Sequence, residues 1–124
     1  TIFYRLAENR FLLIPNAGNR IAVAAWFQRW IDEKFSSGCT MEDVTSTTGL
    51  LAFQGPGTPQ AMDELTDSTI SEMRPFSWAS TAIQKTPALV ARTGYTGEDG
   101  FEILIQGDEI ALRVHVQIYL YREI

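Results

Sequence analysis

Residues 91–105, ARTGYTGEDGFEILI, constrain the fold more than any other stretch, because they set a glycine-rich polar loop between two apolar segments. Gly94 and Gly97 bracket Tyr95, and Gly100 follows Asp99 where apolar alternation resumes. Glycine is the default residue where a backbone needs positive φ or close approach to another group, and Asp-Gly is a strong turn signal. The segment therefore reads as a hairpin with arms at 88–92 and 101–105. Two readings of the loop stand on the residues alone: an ordinary tight connection whose glycines serve only the bend, or a loop with a shape to keep that presents Tyr95. In the second arm Phe101, Ile103 and Ile105 point one way, while Glu102 shares the opposite face with Leu104. On a one-sided sheet Glu102 faces water. On a covered face it is a carboxylate among apolar neighbours that must be hydrogen-bonded, and so a candidate for ligand recognition. Glu98 and Asp99 read as solvated loop charges.

Composition removes several classes of function. A chain of 124 residues, 45% hydrophobic and 20% charged, suits one globular domain able to bury roughly two-thirds of its unfolded surface. No apolar run approaches the ~20 residues of a membrane-spanning helix, and the opening TIFYRLAENR lacks the pattern of a signal peptide. Cytoplasm, or the mitochondrial matrix in a eukaryote, is the expected compartment. Cys39 and His115 are single residues with no motif around either, which argues against a disulfide framework, a metal site or Cys-His catalysis. A net charge of −5 with two lysines, Lys34 and Lys85, argues against a nucleic-acid groove. A small ligand or a protein fits better.

Along the chain, residues 1–6 and 11–14 read as short strands joined by a polar turn at 7–10, rich in β-favouring Phe3, Tyr4, Phe11 and Leu12. After the punctuation at 15–19, Val23, Trp26, Phe27, Trp30 and Ile31 follow one helical face, with Asn19 as N-cap and Ser36, Ser37 and Gly38 as the stop. The Trp26 and Trp30 stripe reads as core or an inter-domain contact rather than a ligand box. Residues 39–54 read as a β region broken at 46–49, with 50–53 a buried strand. Thr58 is expected to cap a short helix that starts at Pro59. Phe76 and Trp78 have the parity of one strand face. Beyond Asp108 the pattern fits either a strand or a helix, and helix is the expectation. The fold class expected is α+β, with antiparallel sheets and helices packed on one face.

Taken in order and at their separations, Asn16 in LLIPNAGN, LLAFQGPGTPQAM, MRPFSW and ARTGYTGEDGFEI closely resemble the aminomethyltransferase, or T-protein, family of the glycine cleavage system. The resemblance covers roughly residues 2–112. It implies a folate-binding domain of two intertwined α+β halves, of which residues 1–124 form a part, with approximate halves at 1–66 and 67–124. It implies a transferase that takes the aminomethyl group from the lipoyl arm of a carrier, the H-protein, and passes the one-carbon unit to tetrahydrofolate with release of ammonia. Tetrahydrofolate is then a substrate, and no metal is called for. Asn16, Tyr95 and Glu102 fall on the family's folate-contacting positions, with Glu102 holding the pterin edge; a carboxylate accepting two parallel N–H bonds matches an aminopyrimidine. Phe76 and Trp78 fall where relatives place aromatics near the folate ring.

The departures carry expectations too. The family's reactive aspartate belongs to a motif that aligns just before Thr1, and a folate-contacting arginine aligns beyond Ile124, so no catalytic residue is assigned within this sequence and the isolated chain is expected to be inactive. Pro15 replaces a common valine and removes a backbone donor beside Asn16. Other readings are a non-catalytic folate-binding relative, although no cysteine sits in the glycine-framed motif as it does in the iron–sulfur assembly relatives, and an inactive fragment that self-associates, for instance as a strand-swapped dimer.

Overall fold

The computed structural model describes residues 1–35, 38–94 and 96–107. Tyr95, the Ser36 and Ser37 stop signal, and the C-terminal element expected beyond Asp108, with His115, lie outside the described residues. The chain divides into two compact units, Thr1–Val44 and Thr45–Ile124, each considered by itself.

In the first unit, β1 (Ile2–Ala7) and β2 (Arg10–Ile14) form the expected antiparallel hairpin, in register from Ile2↔Ile14 to Arg5↔Phe11 with a shift between Arg5 and Ala7. The Arg5 guanidinium folds over the turn and donates to the carbonyls of Ala7 and Glu8 at 3.4 and 3.1 Å. Helix α1 (Arg20–Trp30) follows a 3-10 turn at Ala17–Asn19 and runs on into a π-helical turn at Ile31–Phe35. Asn19 is the N-cap residue as expected, but its side chain makes no capping bond. Its backbone N–H instead donates to the Asn16 carbonyl at 2.8 Å, and the helix start is tied by an Arg20–Asp43 ion pair at 2.9 Å.

The aromatic stripe of α1 is not core. The helix buries none of its residues, and Trp26 and Trp30 remain 56% and 41% exposed. Their rings meet edge-on at 6.0 Å, Trp26 meets Phe27 at 5.0 Å, and Phe27 meets Phe3 of β1 at 6.2 Å. A two-stranded hairpin offers too little apolar surface to cover a whole helix face, so the rings pack chiefly on one another.

The second unit is a four-stranded antiparallel sheet in the order β3-β6-β5-β4, built from β3 (Thr48–Gln54), β4 (Trp78–Ile83), β5 (Thr86–Ala91) and β6 (Gly100–Gln106). Strands β5 and β6 are the two arms read from the glycine-rich loop, paired from Ala88↔Ile105 to Ala91↔Glu102. Residues 39–44 form no strand, contrary to expectation. Adjacent Glu42 and Asp43 have low β propensity, and Asp43 is engaged by Arg20.

One face of the sheet carries the core: Val90, Ala88, Phe101 and Ile103, with Met62 and Ile70 packed against them and Leu51, Phe53, Met73, Ala79, Ile83 and Ile105 around. Phe101 and Ile103 are buried on the face they share with half-buried Ile105. Helix α2 (Thr58–Leu65) supplies Met62. The Asp63 carboxylate accepts from the Ile70 and Ser71 N–H groups at 2.6 and 2.8 Å and from the Ser71 hydroxyl at 2.5 Å, folding the following segment so that Ile70 reaches the core. On the other face Ala52 and Leu50 are exposed, Leu50 by 46%, so β3 is buried on one side only rather than throughout.

Two local expectations need correction. Gly57, not Thr58, is the N-cap of α2, and the Thr58 hydroxyl donates back to the Gly55 carbonyl at 2.8 Å, closing the turn instead of capping the helix. Phe76 lies outside β4 with φ of 61°, and its side chain is 82% exposed, so it shares no strand face with Trp78. Its backbone N–H donates to the Arg92 carbonyl at 2.9 Å, which holds the residue at the strand entrance in that uncommon conformation.

The β4–β5 hairpin turns on Gln84 and Lys85, both left-handed at φ of 49° and 72°. A two-residue turn with both φ positive is normally Asn-Gly, so the sequence carries no signal for it. The double substitution Gln84→Asn with Lys85→Gly relieves the Cβ penalty and should raise stability by about 1 kcal/mol, measured as a higher urea midpoint with an unchanged m-value.

Candidate functional site

Glu102 sits on the central strand β6 in a cross-strand row that reads Ala52, Glu102, Ala91, Trp78 across β3, β6, β5 and β4. It is 1% exposed, so the reading in which it faces water does not hold. The Thr93 hydroxyl, itself buried, donates to Glu102 Oε2 at 2.5 Å. Both direct neighbours of Glu102 in the row are alanines, Ala91 buried and Ala52 exposed. Trp78 lies two strands away in the same row, roughly 10 Å at the usual strand spacing.

The loop before Glu102 is shaped from the side by Gln54, the last residue of β3, which pairs with Gly100. Its carboxamide is buried and donates to the carbonyls of Thr93 and Phe101 at 3.0 and 3.2 Å, while its Oε1 accepts from the Thr96 hydroxyl at 3.3 Å. The glycines follow from this. A Cβ on Gly94 would lie 1.7 Å from Gln54 Oε1, and one on Gly100 would lie 2.6 Å from the Phe53 carbonyl oxygen and 2.7 Å from Gln54 Cδ. Gly97 has open space around it and is there for its φ of 78°. The loop therefore has a shape to keep, and two of its three glycines make room for one side chain. The Gly55 N–H donates to the Asp99 carbonyl at 2.7 Å, so the QGP turn and the glycine-rich loop are joined by backbone as well.

Arg92 ties the other side. Its Nη1 donates to the carbonyls of Ser71 and Met73 at 2.8 and 2.5 Å, Nε donates to Asp99 Oδ1 at 2.9 Å, and Nη2 donates to Asp99 Oδ2. The guanidinium carbon stands 5.8 Å from the centroid of the Phe101 ring, within cation–π range. Asp99 is thus one half of a bidentate pair rather than a solvated loop charge. The hydrogen bond from Arg92 holds its carboxyl below the ordinary range against the opposing effect of burial, and the Arg92 pKa is raised in turn.

Of the residues singled out from sequence, Glu102 and Trp78 share a row of the second unit. Phe76 stands apart from that row. Asn16, exposed, opens the 3-10 turn of the first unit. Among the described residues no group of three or more His, Cys, Asp or Glu could hold a metal ion, and no helix is long and apolar enough to cross a membrane.

Over residues 1–119 the chain matches the family described as the GCVT N-terminal domain. The chain belongs to that family. It is 38% identical over 109 residues to the aminomethyltransferase of Geobacillus thermodenitrificans, covering 87% of this chain and 29% of that protein. To the aminomethyltransferase of Shouchella clausii it is 39% identical over 111 residues, covering 89% and 29%, and to that of Bacillus subtilis 37% over 109 residues, covering 87% and 29%. The chain thus spans 29% of the length of these relatives, and the resemblance read from its motifs to the aminomethyltransferase family is borne out.

Three residues of this GCVT domain escaped sequence reasoning as members of the site: Gln54, Arg92 and Thr93. Gln54 was visible only as part of the QGP motif, whose glycine and proline point to the turn. Two residues that never meet in sequence, Gln54 and Gly94, explain each other only once β3 and β6 are paired.

The Arg92–Asp99 pair makes a pH prediction for the GCVT domain. With the folded pKa of Asp99 depressed, its stabilisation is fully present above the ordinary Asp value of ~3.9 and is lost as the pH falls through the folded value. The denaturant midpoint should therefore fall on acidification below about pH 4, and fall less steeply in Asp99→Asn; equal slopes for the two chains would refute the assignment. Asp63, also held low by its bonds to Ser71, supplies the dependence that remains in the variant.

Proposed function

We propose that the protein is a tetrahydrofolate-dependent aminomethyltransferase of glycine cleavage, and that this chain contributes part of its folate-binding domain. The one-carbon unit passes from an aminomethyl-lipoyl carrier, the H-protein, to tetrahydrofolate, and ammonia leaves. The reading includes the intertwined two-half architecture and a location in the cytoplasm or, in a eukaryote, the mitochondrial matrix. Membership of the GCVT family and relatives named aminomethyltransferase support it.

The observation that carries the folate reading is Glu102: a buried carboxylate on a central strand, oriented by the Thr93 hydroxyl and flanked by two alanines. An ionised carboxylate has two oxygens that accept parallel N–H bonds, which is what the amino and ring N–H groups of a reduced pterin offer. Small side chains at Ala52 and Ala91 flank Glu102, and Trp78 extends the same row. At 1% exposure the carboxylate meets a ligand only when what covers it moves aside. We assign Glu102, Asn16 and Tyr95 binding rather than acid–base work, with Trp78 the better placed of the two aromatic candidates.

Titration of the chain with tetrahydrofolate, followed by tryptophan fluorescence, should show saturable binding. Glu102→Gln removes a charge-assisted pair and should weaken it by about ten- to a hundredfold, since hydrogen bonds to charged groups are worth roughly 1.5–3 kcal/mol. Unchanged affinity in that variant sinks the role of Glu102, and Asn16→Ala tests the motif residue of the first unit in the same assay.

A second reading, self-association through α1, has one observation in its favour: Ile21, Trp26 and Trp30 are 81%, 56% and 41% exposed on a helix with no buried residue. Surface aromatics of this kind mark interfaces. Sedimentation velocity should then show a concentration-dependent dimer that Trp26→Lys converts to monomer, and a monomer at all concentrations would dismiss this reading.

A further inference from the structure

We propose that Gln54 is a positioning residue for Glu102: its buried carboxamide fixes the spacing between the two ends of the glycine-rich loop and thereby aims the carboxylate. The inference rests on the reading of Glu102 as the ligand-binding group and adds a residue to that site. Gln54 and Glu102 lie on the same sheet face, because Gln54 pairs with Gly100 and Ala52 with Glu102. They are diagonal neighbours on adjacent strands, within reach of each other's surroundings.

The amide acts at both ends of the loop at once. One N–H of Nε2 reaches the carbonyl of Thr93, the residue whose hydroxyl donates to Glu102 Oε2. The other reaches the carbonyl of Phe101, the residue directly before Glu102. The Thr93 Oγ1 to Glu102 Oε2 bond is therefore spanned by a second, parallel tie of the same two chain segments through one side chain. The oxygen of the amide is used as well, by Thr96 within the loop. Three of the amide's four hydrogen-bonding positions are thus filled, two by loop residues Thr93 and Thr96 and one by Phe101 at the start of β6. A residue serving only to end β3 would need none of them. The room for this side chain is reserved at two places, by the absent Cβ atoms of Gly94 and Gly100.

The test separates positioning from folding by a double-mutant cycle. Gln54→Met keeps the length and apolar volume but removes every hydrogen bond, and Gln54→Glu keeps the shape but sets an acceptor against the Thr93 and Phe101 carbonyls; the second serves where the first does not fold. Tetrahydrofolate affinity is measured for the full chain, for each Gln54 variant, for Glu102→Gln and for the double variants. The expected result is a loss of about tenfold from Gln54→Met when Glu102 is present and less than about twofold when Glu102 is already replaced, the coupling of residues that act as a unit. Equal losses in both backgrounds mean that Gln54 acts only through general stability, and overturn the proposal. A second readout needs no ligand: the carboxyl carbon resonance of Glu102, which should shift in folded Gln54→Met and in Gly94→Ala. An unmoved resonance in folded variants also overturns the proposal. A shifted resonance in a chain that binds no tetrahydrofolate supports the positioning role while defeating the folate reading, so the two fail separately.

Discussion

The pairing of β3 with β6, from Thr48↔Gln106 to Gln54↔Gly100, is the contact on which the second unit depends. It joins segments far apart in sequence and makes β6 a central strand with β5 on its other side. Long-range pairing of this kind brings an entropic penalty of loop closure, and the hydrophobic face that it completes offsets that penalty. Leu51 and Phe53 from β3 join Phe101 and Ile103 from β6 against Met62 of α2. The same register decides the opposite face. Because side chains alternate strictly along a strand, a slip of one residue would send Glu102 into the core and Phe101 out, so the packing that buries Phe101 also fixes where the carboxylate lies.

The hairpin of β5 and β6 was legible because its signals are local: alternating apolar residues on each arm and a loop of turn-forming residues between. The β1–β2 hairpin and the position of α1 were legible for the same reason. What escaped were features set by partners distant in sequence. Residues 39–44 lost their expected strand to acidic residues and an ion pair with Arg20. The turn at Gln84 and Lys85 carries no glycine, so nothing in its composition announces two left-handed residues. The Trp26 and Trp30 stripe has the spacing of a core face, but spacing shows that a face is apolar and not what covers it.

The site divides along the same line. The chemistry of Glu102 was readable as a dilemma, water or a covered face, and only the neighbouring strands could resolve it. Its burial follows from the central place of β6, and Thr93 supplies a hydrogen bond that a buried polar group needs when it leaves water. Arg92 looked like the polar end of a strand, yet its guanidinium joins the segment at 71–73, the Asp99 carboxylate and the Phe101 ring. An arginine can do this because its planar group offers five donors in fixed directions. Lysine at the same place would have one point of attachment.

Two ties of different physical kind thus hold the glycine-rich loop. The Arg92–Asp99 pair is ionic, and with 41% of the Asp99 side chain exposed it is weakened by salt and by acid. The Gln54 amide is neutral and buried, so neither condition touches it. This difference explains why an amide and not a carboxylate suits position 54. A carboxylate there would present no donor to the carbonyls of Thr93 and Phe101, which the amide nitrogen of Gln54 satisfies. The neutral side chain fixes the loop through hydrogen bonds alone.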